Sequence, residues 1–224
     1  MVVVDVLNDA GGKELLFEKY GMRKVPVLAK GEDFVFGQML DPFAKFIGKQ
    51  GAGLPALTPE QLYNKYQVIF AAGQRLTRQF PQERFRERVI PNRERVIRTL
   101  CYHIFRIGEA FLETYDGAEY SVKIADNEPP ESMQTPDAVA KYGESIAKRY
   151  EAWWAGLDDR SLSGDVKTYY GDTMAHKVFE RVTWHSAQHC RQLAHVLEGM
   201  GIRPDRPLSA EDLAGLPLPE RLFE

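Results

Sequence analysis

Residues 172–201 read DTMAHKVFERVTWHSAQHCRQLAHVLEGMG. Met174, Val178, Val182, Leu193 and Val196 recur at helical spacing and trace one apolar stripe. Gly199 and Gly201 close the pattern, so a helix is expected from roughly Asp172 to Met200. Such a stripe needs other elements to cover it. His185 and His189 fall inside it four residues apart, which projects both imidazoles from one face, one turn apart. That spacing suits two ligands on one metal ion. The competing reading is a hydrogen-bonded core histidine, the commoner fate of a single buried ring. His176 and His195 fall off the stripe and are expected in solvent. Cys190 points about 100° away from His189 by the helical period, and both Cys190 and Cys101 read as small packing residues.

Three more helices are expected upstream. Thr58-Pro59-Glu60-Gln61 combines a capping threonine, a proline at the first helical position and a glutamine three residues past the cap. That helix is expected to run to about Phe80. A second, from about Asn92 to Tyr115, buries Ile97, Leu100, Cys101, Ile104, Ile107, Phe111 and Leu112. A polar loop with Asn127, Pro129 and Pro130 precedes a third, which starts at Thr135-Pro136-Asp137 and ends near Leu157. Four such helices predict a four-helix bundle. His103 shares a face with Val96, Leu100, Ile107 and Ala110, so three histidines on bundle-facing stripes could converge into a site with open positions. The tail from Pro204 to Glu224 is expected as irregular chain with one short turn at Ala210–Ala214.

The first fifty residues read differently. Val2 to Leu7 is a β-branched run ended by the turn-formers Asn8, Asp9, Gly11 and Gly12. Lys13 to Tyr20 has helical spacing and stops at Gly21; Val25 to Leu28 and Phe34 to Phe36 are strand-like; Asp41 to Ile47 is a short helix. The predicted order is β-α-β-β-α. The Gly-rich stretch 48–57 separates the two parts, giving a small α/β unit over 1–50, a linker over 51–57 and a helical domain over 58–224.

Composition narrows the classes. Lys+Arg 29 against Asp+Glu 32 leaves a net charge of −3, which argues against a nucleic-acid partner because phosphate binding needs a concentrated basic surface. Arg84, Arg86, Arg88, Arg93, Arg95 and Arg98 alternate with Glu83, Glu87 and Glu94 and read as a solvated face. Neither a membrane-spanning run nor a signal-peptide pattern is present, and two cysteines outside any CxxC pair fit no disulfide scaffold. The expected location is the cytoplasm. Trp153, Trp154, Tyr169, Tyr170 and Trp184 could line a pocket, although large aromatics on helices usually serve the core.

Residues 58–200 resemble the DinB/YfiT-like superfamily. The likeness rests on Ile90-Pro91-Asn92-Arg93-Glu94-Arg95-Val96-Ile97-Arg98-Thr99-Leu100-Cys101-Tyr102-His103 and on His185-Ser186-Ala187-Gln188-His189-Cys190-Arg191-Gln192-Leu193. His103, His185, His189 and Gln192 match the family's places. Cys190 departs from them, since the family often has arginine directly after the second histidine and here Arg191 comes one residue later. The resemblance implies a four-helix bundle holding a divalent metal, zinc or nickel, on His103, His185 and His189. It also implies thiol-dependent transferase or isomerase chemistry on a small-molecule substrate. Glu109, Tyr102 and Asp172 are unranked candidates for a general base.

Residues 1–50 resemble the second part of a glutaredoxin, a partial thioredoxin-like unit. The match runs through Val4-Asp5-Val6 and Glu14-Leu15-Leu16-Phe17-Glu18-Lys19-Tyr20-Gly21-Met22-Arg23-Lys24-Val25-Pro26-Val27-Leu28. That fold has a cis Val-Pro bond whose backbone faces the thiol, which makes Val25 and Pro26 candidate thiol-binding residues and glutathione a candidate thiol. The segment lacks the family's CxxC turn, and no cysteine precedes Cys101, so thiol–disulfide exchange is not expected of it. A late start, a relic and a docking or dimerisation piece all fit, and the last implies a homodimer. The alternative to an enzyme is a non-catalytic metal-binding or regulatory module.

Overall fold

Asp9, expected in a turn, caps a helix: its Oδ1 accepts the Gly12 N–H at 3.0 Å. Helix α1 runs Ala10–Tyr20 and stops at Gly21, whose φ of 63° is in the left-handed region. The computed structural model describes residues 3–4, 6, 9–22, 25–36, 40–49, 55–91, 94–121, 123–124 and 127–223. The described residues are mainly helical, with seven α-helices and two two-stranded sheets. The chain divides into two compact units, residues 1–54 and 55–224. Among the described residues no helix is long and apolar enough to cross a membrane.

In the first unit, β1 (Val27–Lys30) and β2 (Asp33–Phe36) form an antiparallel hairpin with Val27 opposite Phe36 and Lys30 opposite Asp33. Gly31, at φ 66°, opens its turn. Tyr20 packs its ring on Phe34 and donates its hydroxyl to the Gly31 carbonyl at 2.9 Å, so α1 lies on the hairpin. A short α2 (Leu40–Phe46) follows. The strand expected at Val2–Leu7 is not formed among the described residues: Val3 and Val4 have no regular structure and Val6 is in a turn. Val2, Asp5, Leu7 and Asn8 lie outside them. β-branched residues favour a strand only when a neighbour pairs with it and one face is covered, yet Val3 is 82% exposed.

The second unit is built on four long helices. The capping box at Thr58 forms as expected, with Oγ1 accepting from the Gln61 N–H at 3.2 Å and Gln61 Oε1 from the Thr58 N–H at 2.8 Å. It starts α3 (Pro59–Arg78), and α4 (Ile97–Tyr115), α5 (Pro136–Ala155) and, after the short pair β3 (Asp165–Val166) and β4 (Thr173–Met174), α6 (Ala175–Gly199) complete the set. Helix α4 packs on α6 and α5, and α3 packs on α5 and α6. Their shared core includes Tyr66, Phe70, Phe105, Phe111, Tyr150 and Phe179. Two glycines set the close approaches. A Cβ on Gly108 would meet Phe70 Cζ at 2.8 Å, and one on Gly143 would meet Phe105 Cε1 at 2.5 Å.

In the second unit two helix starts differ from the sequence reading, for one reason; in the first, α1 begins at Ala10 rather than Lys13, where Asp9 caps it. Helix α4 begins at Ile97 rather than near Asn92, because the chain before it folds back: Arg88 bridges Val96, the Ile97 N–H is taken by the Glu87 carbonyl at 2.9 Å and the Arg98 N–H by Phe85 at 2.9 Å. Asn92 and Arg93 are outside the described residues. Helix α6 begins at Ala175 rather than Asp172, because the Ala175 N–H bonds the Gly164 carbonyl at 2.8 Å and His176 N–H bonds Leu162 at 2.9 Å. Distant carbonyls satisfy the exposed N–H groups where a side-chain cap is absent. The tail forms α7 (Ala210–Leu213), capped by Ser209 and tied to α3 by Lys65 Nζ on the Glu211 carbonyl at 2.9 Å.

Candidate metal centre

Ser186 sets the level of α6 against its neighbours. Its hydroxyl donates to the Ile104 carbonyl of α4 at 2.9 Å and accepts from Tyr66 of α3 at 3.0 Å. The carbonyl can only accept, so the tyrosine must donate. Because Ser186 follows His185 and Ile104 follows His103, this lock brings the two histidines to one height. The ring centres of His103 and His185 are 5.4 Å apart, of His103 and His189 5.1 Å, and of His185 and His189 4.7 Å. One candidate ligand nitrogen from each ring lies within 4.8 Å of the other two. Neither Ser186 nor Tyr66 stood out in the sequence, since a serine on a helix carries no signal of its partner.

The three rings each keep a buried nitrogen without a hydrogen-bond partner: His103 Nε2, His185 Nδ1 and His189 Nε2. A buried unsatisfied nitrogen is costly; three that converge fit a metal ion that accepts their lone pairs. His103 and His189 are buried and His185 is partly so, with Trp184 stacked over it at 5.5 Å. Imidazole donors suit zinc and nickel. Among the described residues no cysteine, aspartate or glutamate joins the group.

Electrostatics keep the rings neutral, the form a metal needs. Burial, followed by the nearby His189, Arg95, Arg181 and Arg106, holds His103 well below the ordinary histidine value. Burial, with His189, Arg181 and His103, does the same for His185. Burial and then Arg95 push His189 down to about 3, against a smaller opposing pull from Gln192. The unfolded chain therefore takes up protons first as pH falls below about 6.5, while the native metal-free chain does not. Stability contributed by the neutral rings is complete above that pH and declines below it, towards about 3 for His189. Each ring contributes up to about 1.4 kcal/mol per pH unit within its window. Urea unfolding of chelator-treated protein at pH 7.5 and 5.5 should show the loss, and His189→Gln should reduce it. Equal stability at both pH values for the unaltered chain would sink the assignment.

The remaining predicted residues fall as follows. Gln192 Oε1 lies 2.7 Å from His189 Nδ1. Arg191 Nη1 donates to Gln188 Oε1 at 2.7 Å and to the Pro219 carbonyl at 3.1 Å, which occupies it with the tail. His176 is buried rather than solvated, its Nε2 2.8 Å from the Leu57 carbonyl, because the start of the unit crosses that part of α6. His195 is exposed, edge-on to Phe223. Cys101 and Cys190 are buried, free thiols; burial pushes the Cys101 thiol up to about 12 and Cys190 upward as well. Of the base candidates, Glu109 is engaged by Tyr142, Arg149 and Arg106, Tyr102 stacks on Tyr142, and Asp172 is exposed. Val25 is 51% exposed in the first unit and joined to Pro26 by a cis peptide bond.

The aromatics mostly serve packing, with Trp153 against Phe111 and Phe179 and Trp154 stacked on Tyr63. The arginine run divides. Arg84 pairs with Glu87 at 2.9 Å and Arg88 reaches the Pro91 carbonyl at 3.3 Å, whereas Arg95 bears on all three histidines. Arg181, one turn before His185, is buried with Nη1 on the Tyr120 hydroxyl at 2.9 Å. Neither arginine was legible as part of the site, because one precedes its helix and the other looks like an ordinary polar-face residue. Compared with known proteins, the chain matches no family model and no curated protein.

Proposed function

We propose that this chain is a divalent-metal-dependent enzyme that uses a low-molecular-weight thiol, a transferase, isomerase or hydrolase with zinc or nickel held by His103, His185 and His189. One observation carries the reading: three converging, unpartnered ring nitrogens with no fourth protein ligand among the described residues. A closed four-ligand set serves structure, whereas three ligands leave room for substrate. When bound, the metal supplies Lewis acidity, favouring a thiolate or hydroxide over the protonated form at neutral pH.

The chain's own residues prepare that environment. His189 is oriented by Gln192. The burial of His103 and the Trp184 ring over His185 limit water at the site. Arg95 and Arg181 bring positive charge to the cluster, which favours an anionic sulfur. Glutathione is the proposed thiol, on the resemblance of the first unit alone.

Elemental analysis of the purified protein beside His185→Ala and His189→Ala tests the ligands. Roughly one metal per chain in the parent and a marked loss in both variants are expected; unchanged content in both would exclude the triad. Cobalt substitution tests the thiol. Added glutathione should produce a thiolate-to-cobalt absorption band, and its absence in a cobalt-loaded sample would exclude thiol ligation.

A further inference from the structure

Three α6 side chains reach the same stretch of tail. Gln188 Nε2 donates to the Arg221 carbonyl at 3.1 Å and to Leu222 at 2.7 Å, Arg191 Nη1 to Pro219 at 3.1 Å, and Gln192 Nε2 to Leu222 at 2.8 Å. Gln192 is thus held at both ends of its amide, by His189 and by the tail.

We infer that residues 219–223 act as a strap that fixes the tautomer and orientation of His189 through Gln192. The inference rests on the metal reading above. A backbone carbonyl can only accept, so the Leu222 oxygen requires the NH₂ side of the Gln192 amide to face it. The Gln192 oxygen is then the atom turned to His189 Nδ1, 2.7 Å away. An amide oxygen can only accept, so Nδ1 carries the hydrogen and Nε2 carries the lone pair. His189 Nε2 is the buried nitrogen that lacks a partner. Without the carbonyl, the Gln192 amide could turn over and present its NH₂ to Nδ1, which favours the opposite tautomer and places the hydrogen on Nε2. Gln188 and Arg191 hold the strap through its carbonyls, and Arg191 braces Gln188 at 2.7 Å. Gln192 is therefore a positioning residue, and the strap positions it.

The test uses zinc titration against a chromophoric chelator, together with ¹⁵N NMR of the histidine rings in metal-free protein. Gln192→Leu should weaken zinc binding about ten- to one-hundred-fold, the usual range for loss of a partner to a metal-bound histidine. A chain ended after Leu218 should lose about ten-fold and show mixed tautomers at His189. Adding that truncation to Gln192→Leu should cost nothing more, because both act through one contact. In a Gln192→Glu background the truncation should again have no effect on the tautomer, since a carboxylate accepts from Nδ1 whichever way it turns.

Should the shortened chain lose helicity, Gln188→Ala with Arg191→Ala loosens the strap in the full chain and is expected to weaken zinc binding and mix the tautomers. The inference is overturned if the folded truncation, or that double variant in its place, keeps zinc affinity within about two-fold, well inside the range for a lost partner, and retains a single tautomer. Additive losses in Gln192→Leu and the truncation would overturn it too. Failure of the metal reading looks different: the full chain binds no zinc, or His189→Ala binds it equally well, while the tautomer readout still reports on the strap.

Discussion

Zinc supplied at one hundred times its dissociation constant should stabilise the metal-free chain by about 2.7 kcal/mol, because only the folded state presents the three rings together. For a helical unit of this size that corresponds to a rise of about 5–10 °C in melting temperature. The effect grows with metal concentration, to about 4.1 kcal/mol at one thousand times the dissociation constant. The protein need not fold around the metal, since the Ser186 lock and the hydrophobic core already position the histidines. His189→Ala removes one of three converging nitrogens and should abolish the increase while leaving the metal-free melting temperature within a few degrees. Differential scanning calorimetry with and without zinc checks both parts. An equal zinc response in His189→Ala would contradict the site.

Phe179→Ala should cost about 4 kcal/mol of unfolding free energy, within the range for aromatic truncation in a core. Phe179 is fully buried on α6 and its ring meets Phe111 at 4.9 Å, Trp153 at 5.6 Å, Tyr66 at 6.0 Å and Tyr150 at 6.1 Å. These partners come from α3, α4 and α5, so the ring is common to all four long helices. Tyr66 and Tyr150 are both anchored, one on Ser186 and the other on the Gly108 carbonyl at 3.0 Å, which limits collapse into the space left behind. Since Tyr66 also holds Ser186, the same substitution should weaken zinc binding without touching a ligand. Urea denaturation and zinc titration measure the two effects. A loss below about 1 kcal/mol would mean that Phe179 does not share one core with the four rings around it.

Local chemistry made much of the helical unit legible. Thr58 and Gln61 form their box because both partners are three residues apart, and the pairing of His185 with His189 follows from the helical period alone. Boundaries set by distant groups were not legible: the N–H groups of Ile97 and Ala175 bond to Glu87 and Gly164, which no local pattern names. Among the described residues of the Val2–Leu7 run no strand forms, for a related reason: strand propensity says nothing of whether a partner strand exists.

Caps and periodicity act within a few residues, so the helices and the shared face of two histidines are legible in the chain alone. Packing between distant segments brings His103 to that pair, covers His176 with the Leu57 carbonyl and holds Gln192 on Leu222. Each of these depends on contacts between segments from 30 to 119 residues apart in the chain, whose geometry is fixed by core packing and by single hydrogen bonds such as Ser186 to Ile104.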